Sequence, residues 1–295
     1  MFQGTYTAII TPFQGGNVDE KKLATLVALQ VRAGVDGIVA CGSTGEFLYL
    51  APDERRTIID ICADGCKGKA KLVVGCAALS AKETIELTHQ AQKAGADGAL
   101  IINPWFVKLS QESIVQYYKE INDAVDLPIL LYNNAARTGV DMSVDTIVRV
   151  ASLKNIRCLK ECATSLARVC EFRQRLGDDF TLLDGNDDTL AGFLGMGGDG
   201  GIFIASNVAP SLYVALMKSW RAGHLDAFKA LWQQLYPLSA VLSLERIKYA
   251  MALVHGVSLE TRLPFAPLTA ATQQEIETVL HALELWAPLA SVRTQ

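Results

Sequence analysis

Eight short apolar runs recur along this 295-residue chain, and a stretch of helical period follows each of them. The runs are "TYTAIIT", "GIVACGS", "KLVVGC", "GALIIN", "PILLYN", "IRCLKE", "TLLDG" and "GIFIAS". Segments such as "DEKKLATLVALQVRAG" and "ESIVQYYKEINDAV" fill the intervals. Strand–helix pairs in series with short links point to an α/β chain closed into a (β/α)8 TIM barrel. An internal echo supports this. "RAGVDGIV" (residues 32–39) and "KAGADGAL" (residues 93–100) share one construction, and "GMGGDGGIF" (residues 195–203) is a variant. In each a helix ends, an Asp-Gly turn follows and a strand begins, so these turns mark the barrel face where strands start. A doubly wound sheet is the competing topology, weakened by the absence of GxGxxG after the first strand. From His224 the pattern is all-helical. Residues 1–223 therefore read as the barrel, and residues 224–295 as a helical extension packed on it.

Composition narrows the function. Half of the residues are hydrophobic, the formal charge is −4 and the pI is near 5.6. That balance argues against nucleic acid or an anionic membrane as the main partner. A small anionic substrate, which responds to local charge, stays open. The N-terminus carries no secretory pattern and no uncharged apolar run reaches membrane length, so a soluble, cytoplasmic chain is expected. The seven cysteines are odd in number and form no CxxC pair, and the four histidines are widely spaced. Buried inert thiols, no metal and no cofactor are the expectation.

Active sites of such barrels lie at the C-terminal ends of the strands. Strand two ends in "GSTGE", where Ser43 and Thr44 stand between glycines and could form a small carboxylate-binding nest or a plain turn. The helix after it, "PDERR", reads as Pro at N1 with acids in its first turn. Tyr132 ends strand five; its phenol could relay protons or simply fill the core. Arg137, five residues on, could clamp a carboxylate or face solvent. Strand six is the sharpest case. Alternation puts Ile156, Cys158 and Lys160 on one face and Arg157, Leu159 and Glu161 on the other. A lysine in line with Ile and Cys is costly to bury charged. It is either paired with an acid on a neighbouring strand or held as an amine ready to form a Schiff base with a 2-oxo acid. Glu161, turned toward the helices, reads as structural. The loop after strand seven carries Asp184, Asp187 and Asp188, which disfavours a phosphorylated substrate.

"TPF" after strand one, "GSTGE", "LYNNAARTG" and "LKECAT" occur together, in order and at barrel-like spacing. In this combination the chain resembles the dihydrodipicolinate synthase/N-acetylneuraminate lyase family over essentially its whole length. The resemblance implies a (β/α)8 barrel with a C-terminal helical extension, a homo-oligomer (dimer or tetramer), and a lysine Schiff base with pyruvate or another 2-oxo acid. It makes Lys160 the Schiff-base lysine, Tyr132 the proton-relaying phenol, and Ser43 the hydroxyl linking the relay. Thr44 would hold the carboxylate of the 2-oxo acid, Arg137 that of the second substrate, and Ile202 would turn its backbone to the pyruvate pocket. The nearest named activity is condensation of pyruvate with aspartate semialdehyde. The alternatives are a catabolic sugar-acid aldolase, a dehydratase or deaminase of a hydroxylated 2-oxo or cyclic imino acid, and a silent carboxylate-binding barrel.

Departures from the family pattern bear on chemistry. Phe106 stands where synthases and many lyases have a tyrosine donated across the tight dimer interface, so the three-residue proton relay lacks one hydroxyl. Asn134 and Ala135 replace a more usual small apolar residue and a proline. Leu79 and Trp105 occupy positions at which some synthases bind lysine as a feedback inhibitor, although Glu83 is retained; no lysine inhibition is expected.

Overall fold

The computed structural model describes residues 1–162 and 165–286. The last two residues of "LKECAT" and the end of the 224–295 extension lie outside the described residues. Eight parallel strands close into a barrel: β1 (Gly4–Ala8), β2 (Gly37–Ala40), β3 (Lys71–Gly75), β4 (Gly98–Ile102), β5 (Ile129–Asn133), β6 (Ile156–Glu161), β7 (Thr181–Asp184) and β8 (Gly200–Phe203). Sequential strands are neighbours, and β8 pairs with β1 to complete the ring. A two-stranded hairpin, Phe13–Gln14 with Asn17–Val18, follows β1 and was not expected from the sequence. Its strands are too short to carry an alternating pattern.

The repeated Asp-Gly turns have a physical reason. Gly34 caps the helix Glu20–Ala33 at φ 85°, in the left-handed region that glycine enters without steric cost. The aspartate that follows then stitches the barrel floor. The carboxylate of Asp36 accepts from the Thr5 N–H, that of Asp97 from Leu72, and that of Asp199 from Leu182, each at 2.8 Å. In every case the aspartate just before one strand satisfies an N–H of the strand beside it. The echo in the sequence is thus a repeated hydrogen bond.

Two apolar layers result. The barrel interior is filled by Tyr6, Val39, Val73, Leu100, Leu130, Cys158, Leu183 and Ile202, with Phe2 among them. A second, larger cluster lies between strands and helices and includes Ile38, Ile101, Leu131, Leu159 and Phe172. Ile156 belongs to this outer cluster, not to the face of Cys158 and Lys160 as alternation suggested. The register shifts there: Ile129 pairs with Ile156, but Leu130 pairs with Cys158. The extra residue, Arg157, is exposed, as the surplus residue of a bulge is free to be. After the bulge the alternation resumes, with Cys158 and Lys160 inward and Leu159 outward.

After the barrel come the helices Pro210–Arg221, Leu225–Val241, Ile247–His255 and Ala270–Ala282. Tyr213 Oη and Ser239 Oγ, 2.6 Å apart and buried, join the first two. No helix among the described residues is long and apolar enough to cross a membrane.

Candidate active site

Lys160 ends the inward row of β6, 8 % exposed, flanked in register by Tyr132 of β5 and Leu183 of β7. Its Nζ stands 4.4 Å from the centre of the Tyr132 ring. Among the described residues no carboxylate lies within ion-pair distance of it, so the paired-lysine alternative fails. The space beside the amine is held open by Gly185. A Cβ at Gly185 would meet Cys162 Sγ at 2.2 Å and Lys160 Cε at 2.9 Å, so any side chain there would push on the lysine.

A cavity of about 250 Å³ opens at this point. All six residues singled out in the sequence line it: Lys160, Tyr132, Ser43, Thr44, Arg137 and Ile202. Thr44 is buried and Ser43 half-buried, in a loop whose backbone enters the left-handed region at Cys41 (φ 52°) and Glu46 (φ 60°). Arg137 sits in the short helix Ala135–Thr138, exposed, and makes no ion pair among the described residues. It is free to meet an anion. Ser239, Ala240 and Leu242 reach the cavity from the helical extension, so this segment helps to wall the site.

The acids after β7 do more than repel phosphate. Asp187 is buried and accepts from the backbone N–H groups of Ile204 (3.0 Å) and Ala205 (2.6 Å), fixing the turn that follows β8. Burial raises its carboxyl to about 6, against those two hydrogen bonds and the pull of the Lys160 ammonium. Asp184, also buried, accepts from Asn186 N (2.9 Å) and Thr189 Oγ1 (2.8 Å), and burial raises it to about 8. Glu161 faces away from the cavity, accepting from Asn133 Nδ2 at 2.9 Å with Arg168 3.7 Å away. Its strand neighbour Lys160 therefore does different work.

The loop of Ser43 and Thr44 is also anchored at a distance, by residues that the sequence did not single out. Oε2 of Glu46, the last residue of "GSTGE", accepts from Thr261 Oγ1 (2.9 Å), Arg262 N (2.7 Å) and Leu263 N (3.1 Å). Its Oε1 lies 3.3 Å from the buried Lys248 ammonium, which donates to Thr11 O and Glu260 O and sits over the Phe13 ring. Glu54 of "PDERR" pairs with Arg262 as well as starting its helix. The helix-start signal was legible, whereas the partner far along the chain was not.

A second recess, of about 230 Å³, shares Ser43 and Arg137 with the first and is lined by Phe47, Trp105, Leu244 and Leu263. Beside it Phe106 is 93 % exposed, with φ 73°. The seven cysteines are free thiols, five of them buried. Among the described residues no group of three or more His, Cys, Asp or Glu is arranged to hold a metal.

Known proteins match this chain over nearly its whole length. The profile of the dihydrodipicolinate synthetase family matches residues 1–283. The 4-hydroxy-tetrahydrodipicolinate synthase of Bradyrhizobium diazoefficiens is 40 % identical over 284 residues, 95 % of this chain and 96 % of that protein. The structure of 4-hydroxy-tetrahydrodipicolinate synthase from Methylacidiphilum fumariolicum SolV superimposes with a TM-score of 0.92 at 36 % identity, covering 97 % of this chain and 100 % of the other. A dihydrodipicolinate synthase from Acinetobacter baumannii, solved in complex with pyruvate, gives a TM-score of 0.93 at 32 % identity, with 97 % and 100 % covered.

Proposed function

We propose that this chain, which belongs to the dihydrodipicolinate synthetase family, condenses pyruvate with aspartate semialdehyde through a Schiff base on Lys160. The observation that carries the reading is the single cavity around Lys160, Tyr132, Ser43, Thr44, Arg137 and Ile202. At about 250 Å³ it falls just below the range of roughly 300–1,000 Å³ typical of drug-sized ligands, which suits two small acids.

The chemistry follows from the groups present. The Lys160 amine attacks the carbonyl carbon of pyruvate, forming a C–N bond, and loss of water leaves a protonated imine. That cation draws electrons from the methyl carbon, which gives up a proton to become an enamine. Tyr132, stacked beside the lysine, carries protons on and off; such a group contributes roughly 10²–10⁴-fold. Thr44 holds the pyruvate carboxylate, and Ser43 links the phenol to the rest of the proton route, which lacks the hydroxyl that Phe106 does not carry. The enamine then attacks the aldehyde carbon, while Arg137 grips the second carboxylate. Finally the amine of the second substrate displaces Lys160 from the imine carbon.

Self-association belongs to the same reading. Phe106 is a large aromatic held almost wholly in solvent, at a backbone angle that costs about 1–3 kcal/mol for such a residue. Insertion into a second copy at the apolar recess of Phe47 and Trp105 would offset that cost. A dimer or tetramer is the proposed assembly, and a cytoplasmic location is part of the proposal. So is the division into a barrel (residues 1–223) and an extension (residues 224–295), supported by the strand that ends at Phe203 and by the helices beyond it.

A second reading, turnover of a hydroxylated 2-oxo acid, rests on Asn186, Asp188 and Ser239, polar groups that line the same cavity. Turnover of aspartate semialdehyde against a panel of sugar acids and hydroxylated 2-oxo acids decides between the two. A kcat/KM highest for aspartate semialdehyde upholds the synthase; preference for a hydroxylated acid by a wide margin replaces it.

A further inference from the structure

Among the described residues, two groups touch the Tyr132 phenol oxygen. The side-chain amide Nδ2 of Asn134 donates to it at 3.1 Å, and Cys162 Sγ lies 4.0 Å away on the donor side. Both residues come from this chain, one from the loop just after β5 and the other from the end of β6. Asn134 lines the same cavity as Lys160, and Cys162 lies close enough to Lys160 to feel its charge. Burial raises the Cys162 thiol, against the pull of Lys160, so it stays a donor.

A tyrosine hydroxyl has one proton to give and two lone pairs to fill. With N–H and S–H groups on the oxygen from the protein side, its own O–H is left to point into the cavity. When the phenol hands that proton on, the oxygen becomes an anion and the amide hydrogen bond becomes charge-assisted, hence stronger. An amide nitrogen donates readily but does not accept a proton in return. Asn134 can therefore hold and stabilise the phenolate without serving as a link in the proton route. The charged groups nearby are the Lys160 ammonium at 4.4 Å from the ring centre, together with Arg137, Asp187 and Asp188 around the same cavity.

We infer that Asn134 is a positioning residue for Tyr132, whose amide orients the phenol and supports its ionised form, a support that Phe106 cannot supply. The inference deepens the Schiff-base reading and rests on it. It assigns to Asn134 a share in the proton-transfer steps and none in pyruvate affinity.

The test uses three variants and two readouts. Asn134→Leu keeps the volume without polarity, Asn134→Asp keeps the shape but replaces the amide donor by an oxygen, and Asn134→Gln retains a donor. One readout is deuterium exchange into the pyruvate methyl group; the other is borohydride trapping of pyruvate, read by mass. Loss of a hydrogen bond to a charged group predicts that exchange slows roughly 10- to 100-fold in Asn134→Leu and Asn134→Asp. The KM for pyruvate should stay within about threefold, with trapping intact and Asn134→Gln faster than either of the others. Unchanged exchange in Asn134→Leu overturns the inference. So does a slowing shared equally by all three variants together with a raised KM, which marks a merely structural role. A native protein that traps no pyruvate defeats the Schiff-base reading itself, an outcome separate from any variant effect.

Discussion

Replacing Lys248 by methionine keeps most of the side chain's volume and removes one charge from a buried pair. Lys248 is 6 % exposed and Glu46 3 %, and their charged atoms are 3.3 Å apart. Burial pushes the Lys248 ammonium below its ordinary value in spite of Glu46, so desolvation outweighs attraction at this site. A pair of this kind is worth little against a well-packed apolar replacement, but breaking it is costly. Loss of one partner from a buried pair costs about 3–5 kcal/mol. Glu46 keeps three donors on its other oxygen, from Thr261, Arg262 and Leu263, so the lower end, about 3 kcal/mol, is expected. Because Glu46 closes the loop of Ser43 and Thr44, the KM for pyruvate should rise as well. The assay is urea unfolding of the native protein, Lys248→Met, Glu46→Gln and the double variant. The double variant should recover about 1–2 kcal/mol relative to the sum of the singles, since no orphan charge remains. Strict additivity, or a cost below about 1 kcal/mol for Lys248→Met, would show that no orphaned charge is left when the pair is broken.

Arg137→Met should raise the KM for the second substrate roughly 10- to 100-fold, the effect of losing a charged hydrogen-bond donor, while pyruvate trapping on Lys160 continues. Loss of trapping would show that Arg137 serves pyruvate instead. Asp184 governs a pH effect. Its folded carboxyl is raised to about 8 by burial, so across pH 4–8 the folded chain holds a proton that the unfolded chain has released. Its contribution is present in acid and is lost as pH rises through 8. Native stability minus that of Asp184→Asn should therefore fall by about 1.4 kcal/mol per pH unit in that window; a flat difference contradicts it. Millimolar lysine should leave the rate unchanged, because Trp105 and the exposed Leu79 stand where a polar lining would be needed. Inhibition would overturn that.

The barrel was legible because its evidence is periodic: eight apolar runs, helical spacing between them, and a turn repeated where strands begin. Lys160 was legible for the opposite reason, since a charge in a buried strand breaks the pattern and asks for a use. What stayed hidden depends on partners distant in sequence. The bulge at Arg157 arises from the register with β5, so alternation within β6 alone misplaced Ile156. Glu46 carried no signal of its own within "GSTGE", and only the folded chain brings Lys248 and the 261–263 segment to it. Asn134 registered only as a departure from a pattern; its amide bond to Tyr132 depends on how the loop leaves the strand. The aspartates after β7 were read for charge alone, while Asp187 spends both oxygens on backbone N–H groups.

The Schiff base on Lys160 is a covalent bond, and mass spectrometry reads it directly. Pyruvate and borohydride should add one reduced imine to the native protein, with the modified peptide containing Lys160 and no adduct in Lys160→Ala. An unmodified native protein, or an adduct on any other lysine, would show that Lys160 does not form the imine.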